Sequence, residues 1–135
     1  MKQQRNIIGL RIIGMKYNIG FIGLGKLGLP VVRVIQQKHK VVSFDIKYNF
    51  NSLAQCVIGQ DIIFIAVPTP HEEQYDGRYI SSHLEPKDFD YSIVEDTLKQ
   101  INQISTENQI IVLISTVLPG TIKNKLSKLI TKGTL

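Results

Sequence analysis

Three glycines in one short segment form the arrangement whose chemistry is clearest in this sequence. Residues 23–28 read GLGKLG, a G-x-G-x-x-G pattern between an apolar stretch and a helix-like one. Gly23 permits a tight turn, Gly25 lets a pyrophosphate approach the backbone, and Gly28 lets the helix pack close to the strand. The N–H groups of Lys26 and Leu27 then lie at a helix start, where they can bind phosphate oxygens. The segment predicts a dinucleotide site.

A carboxylate stands at the end of the next strand-like stretch. Asp45 follows Gly28 by seventeen residues, and a carboxylate there accepts hydrogen bonds from an adenosine ribose diol. It would also repel a 2′-phosphate, so NAD is favoured over NADP, although nearby Lys47 weakens that preference slightly. A purely structural strand–helix turn and a methyl-donor site are the alternatives, and this context disfavours both.

The alternating periodicity of the chain predicts the elements that position these groups. Strands are predicted over residues 16–22, 40–45, 61–67 and 109–115. Helices are predicted over residues 26–38 and over residues 49–59. A third helix should follow a Ser92-x-x-Glu95 capping box, and a fourth should begin near Pro119. The resulting order is β-α-β-α-β-loop-α-β-α. Right-handed crossovers make it an α/β fold, a Rossmann-type open parallel sheet with helices on both faces.

Two polar segments follow the last two predicted strands. They read IAVPTP over residues 65–70 and STVLPGT over residues 115–121. Both should lie at the carboxyl edge of the sheet, where Rossmann ligands bind. The hydroxyls of Thr69, Ser115 and Thr116 can bond a cofactor or water there, or make local turn bonds instead.

These segments together carry a family resemblance. FIGLGKLGLP over residues 21–30, VPTP before a Tyr91-x-x-Val94-Glu95 helix start, and STVLPGT resemble the UDP-glucose/GDP-mannose dehydrogenase family, NAD-binding N-terminal domain. The resemblance spans about residues 15–131. Enzymes of the 6-phosphogluconate dehydrogenase type share the glycine loop but lack the other two segments.

The resemblance implies a defined chemistry. Members of this family oxidise the C6 alcohol of a nucleotide-sugar to a carboxylate, with two hydride transfers to NAD and a cysteine-bound intermediate. Thr116 matches the family threonine that holds a water near the reacting carbon, and it is the candidate catalytic residue. The predicted cofactor-binding residues are Gly23, Leu24, Gly25, Lys26, Leu27, Gly28, Asp45, Val67, Thr69, Ser115, Thr116 and Val117.

This chain departs from the family pattern in two places. Residues 46–60 are a shorter connection than the family normally has, so we predict that the usual third strand is missing. The sheet order would then be 2-1-4-5, with an extra edge piece. The family's catalytic glutamate loop, catalytic cysteine and sugar-binding domain are also absent from the sequence. Cys56 lies in the wrong segment to replace that cysteine and is expected to be a buried hydrophobe.

Three functional hypotheses follow. The chain supplies the NAD half of a nucleotide-sugar dehydrogenase, with a separate catalytic domain or a second copy of the chain as partner. Alternatively it is a stand-alone NAD-binding module without catalysis, or a degenerate pairing protein that exposes an apolar helix face. The sequence does not reveal which nucleotide-sugar would be used.

Composition excludes several classes of function. Lys and Arg total 16 against 11 Asp and Glu, a formal net charge of +5, but no nucleic-acid motif accompanies the basic ends. No apolar run reaches the ~18 residues of a membrane span. His71, Glu72, Glu73, His83 and Glu85 match no zinc motif, so no metal is predicted.

The ends of the chain and its location complete the predictions. Residues 1–15 are expected to form a loose N-terminal extension and residues 16–135 the NAD-binding domain, and either Met1 or Met15 is the start. One cysteine suits a reducing compartment, so a cytoplasmic location is expected.

Overall fold

One parallel sheet organises the chain, in a computed structural model that describes residues 15–48 and 50–135. Its strands are β1 (Asn18–Ile22), β2 (Lys40–Phe44), β3 (Ile62–Ile65) and β4 (Ile110–Leu113), in the order β2-β1-β3-β4. Among the described residues no strand pairs with the outer edge of β2. The predicted Rossmann-type sheet without the usual third strand is therefore confirmed. Thr134 makes a parallel bridge to Ile110 and forms the expected extra edge piece.

Helices and turns connect these strands. The helices are α1 (Gly28–Ile35), α2 (Ser92–Ile104) and α3 (Thr121–Asn124), and the 3-10 turns are Ala54–Cys56, Glu73–Tyr75 and Leu126–Leu129. Among the described residues, none of the helices has the length and apolarity needed to cross a membrane. The loop over residues 68–90 is irregular apart from its single 3-10 turn.

Three helix predictions need correction. The helix expected over residues 26–38 is shorter at both ends. For the one expected over residues 49–59, position 49 lies outside the described residues, and residues 50–59 contain a single 3-10 turn instead of an α-helix. This short connection must cross β1 and return to the amino edge of the sheet, and a helix advances only ~1.5 Å per residue. The final helix is interrupted at Lys125, whose φ of −126° is not helical.

The core occupies both faces of the sheet. Phe21 packs with Val32 of α1 on one face, and its ring stacks on that of Phe64 at a centroid distance of 5.6 Å. Side chains of neighbouring residues in a strand point to opposite faces, so Ile22 joins the other cluster. That cluster is capped by α2 and the last 3-10 turn, and its fully buried members include Ile63, Ile65, Val94, Leu98, Ile101 and Leu126. Helices therefore cover both faces, as predicted.

Gly20 allows the connection after β2 to lie directly on the sheet. A Cβ at Gly20 would stand 1.7 Å from the carbonyl oxygen of Cys56. The Cys56 side chain is completely buried, with Sγ 3.3 Å from the carbonyl oxygen of Val42. Its predicted role as a buried hydrophobe is confirmed, and burial raises the pKa of the thiol to about 11.

The start of α2 differs from the predicted capping box. Ser92 is already the first helical residue and Tyr91 occupies the cap position, where no side chain makes a cap bond. The Asp90 carboxylate accepts the Ser92 N–H at 2.9 Å instead. Glu95 does not reach back to the helix start, because it pairs with Lys125 at 2.7 Å.

Candidate nucleotide site at the carboxyl edge of the sheet

The glycine loop has the geometry that a bound pyrophosphate requires. Gly23 has a φ of +98°, and a Cβ there would lie 2.5 Å from the carbonyl oxygen of Ala66. A Cβ on Gly28 would lie 2.0 Å from the carbonyl oxygen of Gly23, so the helix starts in close contact with the turn. At Gly25 a Cβ would meet nothing within 4 Å. The loop is closed at its two ends and open in the middle.

Backbone donors line this opening. Leu29 donates its N–H to the carbonyl oxygen of Gly25 at 3.1 Å, which begins the hydrogen-bond ladder of α1. Within residues 15–48 and 50–135, the N–H groups of Lys26 and Leu27 donate to no protein acceptor. Orphan N–H groups at a helix start attract anions, and the helix dipole adds to the effect.

Asp45 lies against the glycine loop. One carboxylate oxygen accepts the Leu24 N–H at 2.7 Å, and the other accepts the Lys47 N–H at 2.9 Å. Each oxygen keeps lone-pair capacity for a further donor such as a ribose hydroxyl. The acid and the phosphate-binding loop thus form one unit, although they are far apart in sequence.

A cleft of about 340 Å³ opens beside Asp45. It is lined by Asp45 and Ile46 after β2, by Val67 after β3, and by Ile93 and Gln100 of α2. Its volume and mainly apolar lining suit an adenosine. The contribution of α2 to this cleft was not predicted from the sequence, although Ile93, Asp96, Thr97 and Gln100 recur at helical spacing and could have indicated a second functional face.

The other predicted site residues lie at the ends of β3 and β4. Ser115 donates its hydroxyl to the carbonyl oxygen of Val67 at 2.6 Å, which ties the two strand ends together. Val117 packs against the core, Thr69 is half-buried and Thr116 is exposed. None of Thr69, Ser115, Thr116 and Val117 lines the cleft beside Asp45. Because the Ser115 proton is engaged, toward a ligand this hydroxyl can act only as an acceptor.

The loop over residues 68–90 contains a second cleft of about 370 Å³. His71, Glu72 and Lys87 are among its lining residues, and Glu72 forms an ion pair with Lys87. This pairing lowers the pKa of the Glu72 carboxyl and raises that of the Lys87 ammonium. In the part of the chain that the structure describes, no group of three or more His, Cys, Asp and Glu is placed to hold a metal ion.

The residues present fit a bound dinucleotide. The open position at Gly25, the orphan N–H groups at the start of α1, the Asp45 carboxylate and the apolar cleft follow one another along a single sheet edge. This is the order in which pyrophosphate, ribose and adenine are met in a dinucleotide-binding crevice.

Sequence comparison assigns the family. The NAD binding domain of the UDP-glucose/GDP-mannose dehydrogenase family matches residues 47–134. That range includes both polar segments, whereas the glycine loop and Asp45 precede it. Protein CapL of Staphylococcus aureus is 31% identical over 132 residues, covering 78% of this chain and 28% of that protein.

Solved structures share the fold. GDP-mannose dehydrogenase from Pseudomonas aeruginosa, in a ternary complex, aligns with a TM-score of 0.64 and 20% identity over 85% of this chain and 31% of its own. UDP-N-acetyl-mannosamine dehydrogenase Cap5O from Staphylococcus aureus aligns with a TM-score of 0.60 and 21% identity, covering 84% and 32%. The chain spans less than a third of each of these three relatives. Because the family match over residues 47–134 covers more than half of this chain, the chain belongs to the UDP-glucose/GDP-mannose dehydrogenase family, as its NAD-binding domain.

Proposed function

We propose that this chain binds NAD across the carboxyl edge of its sheet and supplies the cofactor half of a nucleotide-sugar 6-dehydrogenase. In such an enzyme a C6 alcohol and a water would be converted to a carboxylate, and two NAD molecules would accept the two hydrides in turn. The sugar stays unassigned, because the relatives are named for different substrates, GDP-mannose and UDP-N-acetyl-mannosamine. A partner catalytic domain, a homo-oligomer and a cytoplasmic location stay predictions.

Each part of the proposed site has a role given by its chemistry. The N–H groups of Lys26 and Leu27 bind the pyrophosphate at the start of α1, where the missing side chain of Gly25 leaves room. Asp45 accepts the ribose hydroxyls, and the cleft beside it takes the adenine. Thr116, exposed after β4, holds the water that the family resemblance implies.

The contact between Asp45 and Leu24 is the observation that carries this proposal. A carboxylate at 2.7 Å from the N–H of the glycine loop brings the ribose acceptor next to the phosphate donors. Because a second negative charge would meet that carboxylate, the site discriminates against the 2′-phosphate of NADP.

The test compares NAD and NADP binding by calorimetry for the wild type, Asp45→Ala and Asp61→Ala. Asp61 is a matched control, since its carboxylate also accepts a backbone N–H at 2.7 Å, from Asn18 at the opposite end of β1. We expect the wild type to prefer NAD. Asp45→Ala should weaken NAD binding by about tenfold and narrow the NAD/NADP difference, whereas Asp61→Ala should leave both unchanged. A wild type that binds no NAD refutes the proposal.

A second candidate is a stand-alone NAD-binding module without catalysis. Cys56 favours it, because this thiol is fully buried and burial raises its pKa to about 11, the opposite of what a nucleophile needs. The discriminating assay adds NAD with UDP-glucose or a related nucleotide-sugar to the chain and follows NADH absorbance. Formation of NADH by the chain alone excludes the non-catalytic module.

A further inference from the structure

Tyr91 joins three separate segments at the carboxyl edge of the sheet. Its side chain is buried, with 4% of its surface exposed. The hydroxyl accepts the N–H of Leu118 at 3.0 Å and donates to the carboxylate of Asp88. Leu118 belongs to the segment after β4, and Asp88 belongs to the long loop after β3. A buried phenol that uses both its donor and its acceptor in this way fixes the distance between the two loops.

The ring of Tyr91 is held as well. The ammonium of Lys125 lies 5.4 Å from the ring centroid and also pairs with Glu95 at 2.7 Å. The hydrogen bond to Glu95 is the main reason why the pKa of the Lys125 ammonium is raised. Together with the bond from Ser115 to Val67 at 2.6 Å, the contacts of Tyr91 hold the segment after β4 at both ends.

The strand order says which part of a dinucleotide would meet this segment. Asp45 follows β2, the glycine loop follows β1, and the segment that begins at Ser115 follows β4. The sheet order is β2-β1-β3-β4. A dinucleotide with its pyrophosphate at the glycine loop and its adenosine toward Asp45 must extend its other half toward β3 and β4. The nicotinamide half therefore lies on the side that Tyr91 organises.

We propose that Tyr91 is a positioning residue for the nicotinamide half of NAD: its hydroxyl holds the backbone over residues 115–118 in the conformation that receives that half. The inference rests on the proposed NAD site, and it assigns the two halves of NAD to different sets of residues. The adenosine half depends on Asp45 and the glycine loop, to which the Tyr91 side chain makes no hydrogen bond among the described residues. The nicotinamide half depends on a segment in which Leu118 donates its N–H to Tyr91.

The test removes the hydroxyl alone. Tyr91→Phe keeps the buried ring and its contact with Lys125 but leaves the Leu118 N–H without its acceptor. We expect NAD affinity to fall about fivefold to tenfold, the loss of roughly one hydrogen bond. Affinity for ADP, which carries the adenosine and both phosphates but no nicotinamide riboside, should change by less than about twofold. Bound NADH should also lose part of its nicotinamide fluorescence enhancement.

Two further variants make the result specific. Tyr75→Phe is the matched control, since the Tyr75 hydroxyl donates to the carbonyl oxygen of Glu85 at 2.7 Å, within the long loop. In the described part of the chain it makes no hydrogen bond to the segment after β4. It should bind NAD and ADP as the wild type does. Asp88→Ala removes the acceptor of the Tyr91 hydroxyl at an exposed position. Like Tyr91→Phe, it should weaken NAD binding and leave the affinity for ADP unchanged. This test stands even where Tyr91→Phe folds poorly.

The outcomes separate this proposal from the one on which it rests. If the wild type binds neither NAD nor ADP, the NAD site itself is refuted. If the wild type binds NAD and both Tyr91→Phe and Asp88→Ala bind it equally well, the positioning role alone is overturned. A parallel loss of NAD and ADP affinity in these variants also overturns it, because Tyr91 would then support the fold as a whole.

Discussion

Gly28 lies so close to Gly23 that a Cβ on Gly28 would stand 2.0 Å from the carbonyl oxygen of Gly23 and 3.1 Å from the ring of Phe21. The two glycines close the turn between β1 and α1. Gly25, between them in the same motif, faces open space. The motif therefore combines two glycines that the fold needs with one that only a ligand would need, and substitution can separate the two requirements.

Alanine at Gly28 should lower the stability of the fold, whereas alanine at Gly25 should lower the affinity for NAD. Gly28→Ala forces the helix start away from the turn, so we expect the free energy of unfolding to fall by about 3 kcal/mol. Gly25→Ala should leave the free energy of unfolding nearly unchanged, because its Cβ meets no atom, but should weaken NAD binding by about tenfold or more, since the methyl group occupies the path of the pyrophosphate. Denaturant unfolding and calorimetry measure the two effects.

Equal destabilisation by the two alanines would contradict this division. So would a Gly25→Ala variant that binds NAD as tightly as the wild type, because the open space at Gly25 would then have no connection with the phosphates.

The buried thiol of Cys56 should make stability depend on alkaline pH. Burial raises its pKa from 9.0 to about 11, so between these values the unfolded chain loses a proton that the folded chain keeps. The unfolded state then binds fewer protons, and stability must fall as pH rises. We expect the stability advantage of the wild type over Cys56→Ala to shrink by about 1.4 kcal/mol per pH unit between pH ~9 and pH ~11, and to change no further above that.

The comparison with Cys56→Ala isolates this group, because every other ionisable side chain is present in both proteins. Urea unfolding at a series of pH values measures the difference. A difference that stays constant from neutral to alkaline pH would show that the thiol ionises as easily in the folded chain as in the unfolded one.

The sheet and the glycine loop could be predicted from the sequence because their signals are local. Apolar runs such as residues 61–67 identify buried strands, and the spacing of Gly23, Gly25 and Gly28 demands a strand before it and a helix after it. The shortness of residues 46–60 likewise predicted the missing third strand. Each of these inferences concerns neighbours in sequence, and each is confirmed.

The features that the sequence did not reveal depend on contacts between distant segments. Nothing local distinguishes Gly20 from any glycine in a strand, yet the carbonyl group of Cys56 occupies the place of its side chain. The bonds of Tyr91 to Asp88 and Leu118 likewise arise only when two loops meet. The apolar spacing of residues 49–59 suggested a helix, but the need to cross β1 overrode it.

The start of α2 gives a direct test of a competition between two capping arrangements. The sequence favours a Ser92 cap with Glu95, whereas the structure gives Asp90 the Ser92 N–H at 2.9 Å. That bond lowers the pKa of the Asp90 carboxyl, so its stabilising effect is present above the ordinary carboxyl pKa and is lost as pH falls through the lowered value. Asp90→Ala should therefore lower Tm at neutral pH and converge with the wild type in acid. Ser92→Ala keeps the backbone bond and loses only the smaller contribution of the Ser92 hydroxyl, so it should lower Tm less. Thermal unfolding followed by circular dichroism measures all three proteins. A larger loss of Tm in Ser92→Ala than in Asp90→Ala would restore the capping box as the helix start.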